Sequence, residues 1–221
     1  SCLLVGRSTG MTTKRYDAVV VGSGPNGLSA AVRLAQSGWS VVVLEAGEVI
    51  GGGTRSAELT LPGYVHDVCA AVHALGVSSP ATSVAALGDY GLRWVWPEIP
   101  VAHPLDDGRA GILHRSLEHT AAGLGADGDS WVRQVGGVTR HWEQLLPQLL
   151  GPVVSVPRHP VAMAKFSVSA LQPATWVAGR FDTEEARALF GGCAAHAMLP
   201  LRRPLTAAFG LRSEEHTSEL Q

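Results

Sequence analysis

Gly22-Ser23-Gly24-Pro25-Asn26-Gly27 is a GxGxxG turn, the part of the chain with the most specific chemical signal. In this spacing the first glycine turns the backbone out of a strand. The second lacks the Cβ that would keep a pyrophosphate away from the main chain, and the third lets the next helix pack closely on the strand. Gly22, Gly24 and Gly27 occupy these places, with Pro25 and Asn26 at the start of the helix. A helix N-terminus offers free N–H groups and a partial positive charge to phosphate oxygens. Glu45 follows 18 residues after Gly27. At the end of a second strand a carboxylate accepts hydrogen bonds from adenosine ribose hydroxyls and repels a 2′-phosphate, which disfavours NADP. The implied chemistry is the grip on a dinucleotide.

Such a grip needs particular elements. Residues 16–21, with their β-branched valines, read as a strand buried on both faces. Apolar residues at 28, 31, 32 and 35 recur at helical spacing up to Gly38, and a second buried strand runs from Ser40 to Leu44. Strand, glycine turn, helix and strand within about thirty residues make a βαβ unit and therefore a parallel sheet. Beyond Gly51-Gly52-Gly53, Glu58 to Tyr64 reads as a short strand interrupted by Pro62. Two strands, Ala102 to Leu105 and Ala110 to His114, flank the turn Asp106-Asp107-Gly108. A long amphipathic helix is expected from Asp129, with Trp131, Val135, Val138, Trp142, Leu145 and Leu149 on one stripe and Pro147 as a kink. Gly151 to Pro160 is a proline-rich connector, and Asp182-Thr183-Glu184-Glu185 a capping box opening a helix through Phe190. The fold class is α/β: a Rossmann-like βαβ unit with a parallel sheet, then a mixed, mainly helical section.

Composition narrows the function classes. The chain has 221 residues, 46% hydrophobic and 16% charged, with net charge −2. This excludes a disordered chain and gives no basic field for nucleic acid. No apolar window is long enough to span a bilayer, although peripheral membrane contact is left open. Cys2, Cys69 and Cys193 lie far apart without CxxC or zinc-type spacing, so no metal is expected and reduced thiols favour the cytoplasm. Arginine greatly outnumbers lysine (only Lys14 and Lys165), a bias of GC-rich, bacterial coding sequence. Residues 1–10 precede the first methionine, Met11, and read as upstream translation; residues 212–221 match a translated sequencing-library adapter. The native part is then 11–211, cut off at its C-terminus: 11–76 the front of a dinucleotide domain and 77–211 a partial, helical substrate section.

Glu45 is followed at once by Ile50-Gly51-Gly52-Gly53-Thr54-Arg55, where an ordinary NAD domain would enter its next crossover helix. Together with YDAVVVGSGPNGLSAAVRLAQSGWSVVVLEAG and IGGGTRSAELTLPGYVHDVCAAVHALG, this segment resembles the FAD-dependent family of phytoene (carotenoid) desaturases and, more distantly, amine oxidases. FDTEEARALFGGCAAHAMLPLRRPLTAAFGL resembles a subgroup called pyridine nucleotide-disulphide oxidoreductase domain-containing protein 2, although no redox CxxC is present. The resemblance implies FAD as cofactor and places Gly51, Gly52 and Arg55 against its pyrophosphate and flavin. It also implies an oxidoreductase acting on an apolar small molecule. The competing readings are an NAD-dependent dehydrogenase and a flavin-binding regulatory or scaffold protein with little turnover.

No catalytic residue is assigned. His66, Asp67 and His73 follow the glycine loop and match the family, but local hydrogen bonding is the simpler role for them. His196 reads first as a hydrogen-bonded core histidine. Trp94 and Trp96 alternate as on a core strand, and Asp106 and Asp107 are turn residues.

Overall fold

A computed structural model of the chain describes residues 14–73, 76, 79, 86–151 and 156–212. The chain divides into two compact units, residues 1–93 and 94–221. The expected non-native ends lie outside the described residues, except Arg212.

In the first unit β1 (Ala18–Val21) and β2 (Val41–Leu44) pair in parallel, with Ala18 opposite Val41 and Val21 opposite Leu44. Helix α1 (Pro25–Gln36) makes the crossover. The pair is pinned where it starts. The Asp17 carboxylate accepts from the Ser40 N–H at 2.8 Å and its hydroxyl at 2.6 Å, and Asp17 N–H donates to Ser40 O at 2.9 Å. The parallel βαβ unit is therefore as expected, but burial on both faces is not. Val19 is 57% exposed and Val21 82%. Valines promote strand on either face, whereas burial needs a covering layer, and α1 covers one face only. Of the expected strand over 58–64, Glu58 closes β3 (Ser56–Glu58) and the rest is the turn to β4 (Val65–Asp67), which pairs with β3 antiparallel. Pro62 and Gly63, with φ +83°, make this segment a connection.

The second unit begins with the expected hairpin, β5 (Val101–Pro104) and β6 (Ala110–Leu113). Helices follow: α2 (Leu117–Gly123), α3 (Gly128–Gln134), α4 (Gly136–Arg140), α5 (Trp142–Leu149), α6 (Pro160–Ala170), α7 (Ala174–Ala178), α8 (Glu184–Ala194) and α9 (Ala207–Arg212). The single long helix expected from Asp129 is three short ones. Gly136 and Gly137 weaken the helix locally, and a Cβ on Gly136 would stand 2.7 Å from Leu117 Cδ2. The helix is interrupted just before them at Val135 and again at His141, and Trp131, Val135, Val138, Trp142 and Leu145 are all buried. Pro147 lies inside α5 without ending it. Pro160 opens α6 rather than closing a connector, a position where its missing N–H costs nothing.

Trp131, Phe181 and Phe190 form the aromatic centre of this unit, with ring centroids 5.5 and 6.0 Å apart. All three are fully buried. Helix α8 reaches this centre by a cap the sequence did not reveal. Its N-cap is Thr183, whose hydroxyl accepts from Ala186 N–H at 3.3 Å, so no glutamate completes the expected capping box. The buried Asp127 carboxylate supplies the missing acceptor from outside, taking the N–H groups of Asp182 (2.9 Å) and Thr183 (2.6 Å) and the Thr183 hydroxyl (2.6 Å). Burial alone would raise this carboxyl, but the Thr183 and Asp182 hydrogen bonds outweigh it and hold it below the usual aspartate range.

Candidate functional site

The glycine turn begins at the end of β1. Gly22 adopts φ +93°, a conformation that favours glycine, and its N–H donates to Leu44 O at 2.7 Å. Gly24 ends the turn in extended geometry, and Pro25 starts α1. No side chain caps α1 and no acidic residue sits in its first turn, so no side-chain acceptor of its own compensates the N–H groups at its start. Gly27 is required by packing, because a Cβ there would lie 2.1 Å from Gly22 O. Ala31, one turn on, is the buried residue of α1. Asn26 is exposed beside Pro25.

A second glycine loop meets the first. Gly51, with φ +110°, donates its N–H to Ser23 O at 3.0 Å, and a turn of 3-10 helix, Gly52–Thr54, follows. Gly52 has φ +55°, and a Cβ on it would come within 2.8 Å of Gly24 Cα. Two stretches of bare backbone thus touch. A Cβ on Gly24, by contrast, would meet nothing closer than Gly52 Cα at 4.0 Å. Among the described residues the packing leaves the space over Gly24 open, as a pyrophosphate cradle requires. Arg55 leaves the loop exposed and extended.

Glu45 follows the last residue of β2, and its side chain turns back to the first loop. Its Oε2 accepts the Ser23 N–H at 2.8 Å and also the Ser23 hydroxyl, while Oε1 accepts Gly47 N–H at 2.9 Å. The Ser23 hydroxyl, then the backbone N–H groups of Gly47 and Ser23, lower its pKa to about 2. Among the predicted site residues, the structure gathers Gly22, Gly24, Pro25, Asn26, Gly27, Glu45, Gly51 and Gly52 around the start of α1, with Arg55 beside Gly51. Ser23 and Gly47 were missed. The parallel register, with Val21 opposite Leu44, continues to Gly22 opposite Glu45, and the Glu45 side chain reaches one residue further to Ser23.

The remaining candidates take local roles. His66 Nε2 lies 2.8 Å from Thr60 Oγ1, and Asp67 accepts from the Ser56 hydroxyl at 2.9 Å, both within the β3–β4 hairpin. His73 is exposed. Among the described residues no group of three His, Cys, Asp or Glu could hold a metal ion. Cys69 is an exposed free thiol, Cys193 is buried, and Cys2 lies outside the described residues.

In the second unit His196 is exposed, not in the core, with Nδ1 3.0 Å from Cys193 O at the end of α8. Trp94 and Trp96 lie outside any strand; Trp96 instead carries the Arg115 guanidinium 5.3 Å above its ring. Asp107 pairs with Arg109 at 2.7 Å in the β5–β6 turn, and Arg109 continues to Glu185 at 2.6 Å. A cavity of about 990 Å³ in this unit is lined by Trp96, Arg115, His119, Arg140, His141 and Trp142 among others. Among the described residues no helix is long and apolar enough to cross a membrane.

Residues 20–87 match the family model of the NAD(P)-binding Rossmann-like domain. The chain is 49% identical over 49 residues to a thiamine thiazole synthase of Methanococcus maripaludis, covering 22% of this chain and 19% of that protein. It is 48% identical over 48 residues to a flavin-containing amine oxidase of Danio rerio, covering 22% of this chain and 9% of the relative. In three dimensions it resembles a putrescine oxidase solved with putrescine, with TM-score 0.52 and 23% identity over 90% of this chain and 41% of the other. The shared fold is a Rossmann-like α/β unit followed by a helical section. The chain spans about two fifths of that solved structure and a smaller share of the curated relatives.

Proposed function

We propose that this chain supplies the dinucleotide-binding segment of an FAD-dependent oxidoreductase. The contact between two glycine loops carries the reading: Gly52 packs on Gly24 at the mouth of an uncapped helix, and among the described residues no side chain fills the space above Gly24. A single glycine turn serves NAD or FAD alike; the second loop lies where a pyrophosphate would be enclosed from both sides. The amine oxidase and putrescine oxidase likenesses support a flavin, while the description of the matched family model keeps NAD(P) as the second reading.

In this role the N–H groups at the start of α1 bind the pyrophosphate, and Glu45 holds the adenosine ribose. Gly51 and Gly52 close the loop over the phosphates, and Arg55 adds positive charge beside it. When bound, the flavin supplies the redox chemistry by accepting a hydride from a small-molecule substrate. The chain's share is binding and orientation. Purifying the full-length protein and recording its visible spectrum tests this. Flavin absorption that is released as FAD on denaturation supports it; a colourless protein that takes up NAD in equilibrium dialysis, and not FAD, overturns it.

A further inference from the structure

Glu45 faces an accounting problem that the dinucleotide motif leaves open. A carboxylate oxygen accepts about two hydrogen bonds. Oε2 already receives two, both from Ser23: the backbone N–H at 2.8 Å and the hydroxyl. Oε1 receives the Gly47 N–H at 2.9 Å. Ser23 itself is 0% exposed, so it is out of reach of a ligand. Its carbonyl meanwhile accepts Gly51 N–H at 3.0 Å, which ties the second glycine loop to the same residue. One small residue thus joins the first turn, the end of β2 and the second loop. Its hydroxyl is the one of its three links that a side-chain substitution removes.

We propose that Ser23 is a positioning residue for the adenosine ribose: it saturates Oε2 and locks the Glu45 rotamer, so the carboxylate takes a single ribose hydroxyl, through Oε1. This rests on the FAD reading above. Alanine in place of Ser23 leaves the N–H bond intact and frees one acceptor site, and the carboxylate gains rotational freedom. The ribose then meets an unfixed partner.

The test uses the full-length protein stripped of flavin, titrated with FAD and followed by flavin fluorescence, for wild type, S23A, E45A and the double variant. Removing a hydrogen bond to a charged group is expected to weaken FAD binding roughly tenfold in S23A. In the E45A background the same Ser23 change is expected to cost less than about twofold, because its partner is already gone. The thermal midpoint of the apoprotein should fall in S23A, but no further than in E45A, because both remove the same hydrogen bond. An equal loss of FAD binding in both backgrounds, or an apoprotein midpoint that falls further in S23A than in E45A, would make Ser23 merely structural and overturn the proposal. FAD binding in S23A equal to wild type overturns it too, while leaving the flavin reading standing. A wild-type protein that takes up no FAD removes the flavin reading and this proposal together.

Discussion

Gly24 and Gly27 stand in one turn, yet glycine is needed at each for a different reason. At Gly27 the protein itself demands it, since a Cβ would lie 2.1 Å from Gly22 O. Gly27→Ala should therefore push α1 off β1 and destabilise the first unit by about 1–3 kcal/mol, with or without cofactor. At Gly24 a Cβ finds room, so Gly24→Ala should leave the apoprotein melt unchanged and strike FAD retention alone. Thermal melts set beside flavin occupancy separate the two. Glu45 adds a pH dependence. Its pKa lies near 2 in the folded chain against 4.5 for an ordinary glutamate. A depressed carboxylate stabilises the fold above the unfolded value and loses that contribution as pH falls through the folded one. The first unit should weaken in acid between about 4.5 and about 2, and E45Q should flatten that part of the titration.

Helix α8 shows how an element depends on distant residues. Asp127 holds its N-terminus with three hydrogen bonds to Asp182 and Thr183, so D127A should lower the stability of the second unit by about 2 kcal/mol. Chemical denaturation followed by tryptophan fluorescence measures this, because Trp131 sits in the core beside Phe181. The opposite end of α8 meets β5. The His103 ring lies where a Cβ on Gly192 would be, 2.0 Å from its Cε1. Burial first, and then the nearby His196, lowers the His103 pKa below 6.5. A histidine held neutral stabilises the fold above its unfolded pKa and loses that contribution as pH falls below it. The second unit should soften as pH drops below 6.5, and H103N should remove that step.

At the scale of the molecule, the first unit presents apolar strand surface to solvent. Val19, Val21 and Leu44 are each more than half exposed on a two-stranded parallel sheet. Parallel sheets ordinarily have both faces covered, and open strand edges with apolar faces drive association. The 221-residue chain expressed alone should self-associate and bind a hydrophobic dye, as light scattering and dye fluorescence would report. A monomeric species with a single cooperative melt would overturn that expectation.

The sequence by itself determined what depends on local rules. GxGxxG between two valine-rich runs defined the βαβ unit and Glu45 followed from spacing, whereas the second glycine loop came from the family resemblance. The Asp106-Asp107-Gly108 turn likewise announced its hairpin. Neighbouring residues carry these signals, through periodicity, φ preference and the absence of a Cβ. Tertiary structure alone decided the rest. Only folding shows that Gly52 lies against Gly24, that Ser23 saturates one oxygen of Glu45, or that Asp127 caps a helix 56 residues onward. The three-way break of the expected long helix, the exposure of Val21 and the surface position of His196 belong to the same class. Each depends on what packs against a residue across the fold. Side-chain type restricts such contacts, but the partner is chosen only when distant segments meet.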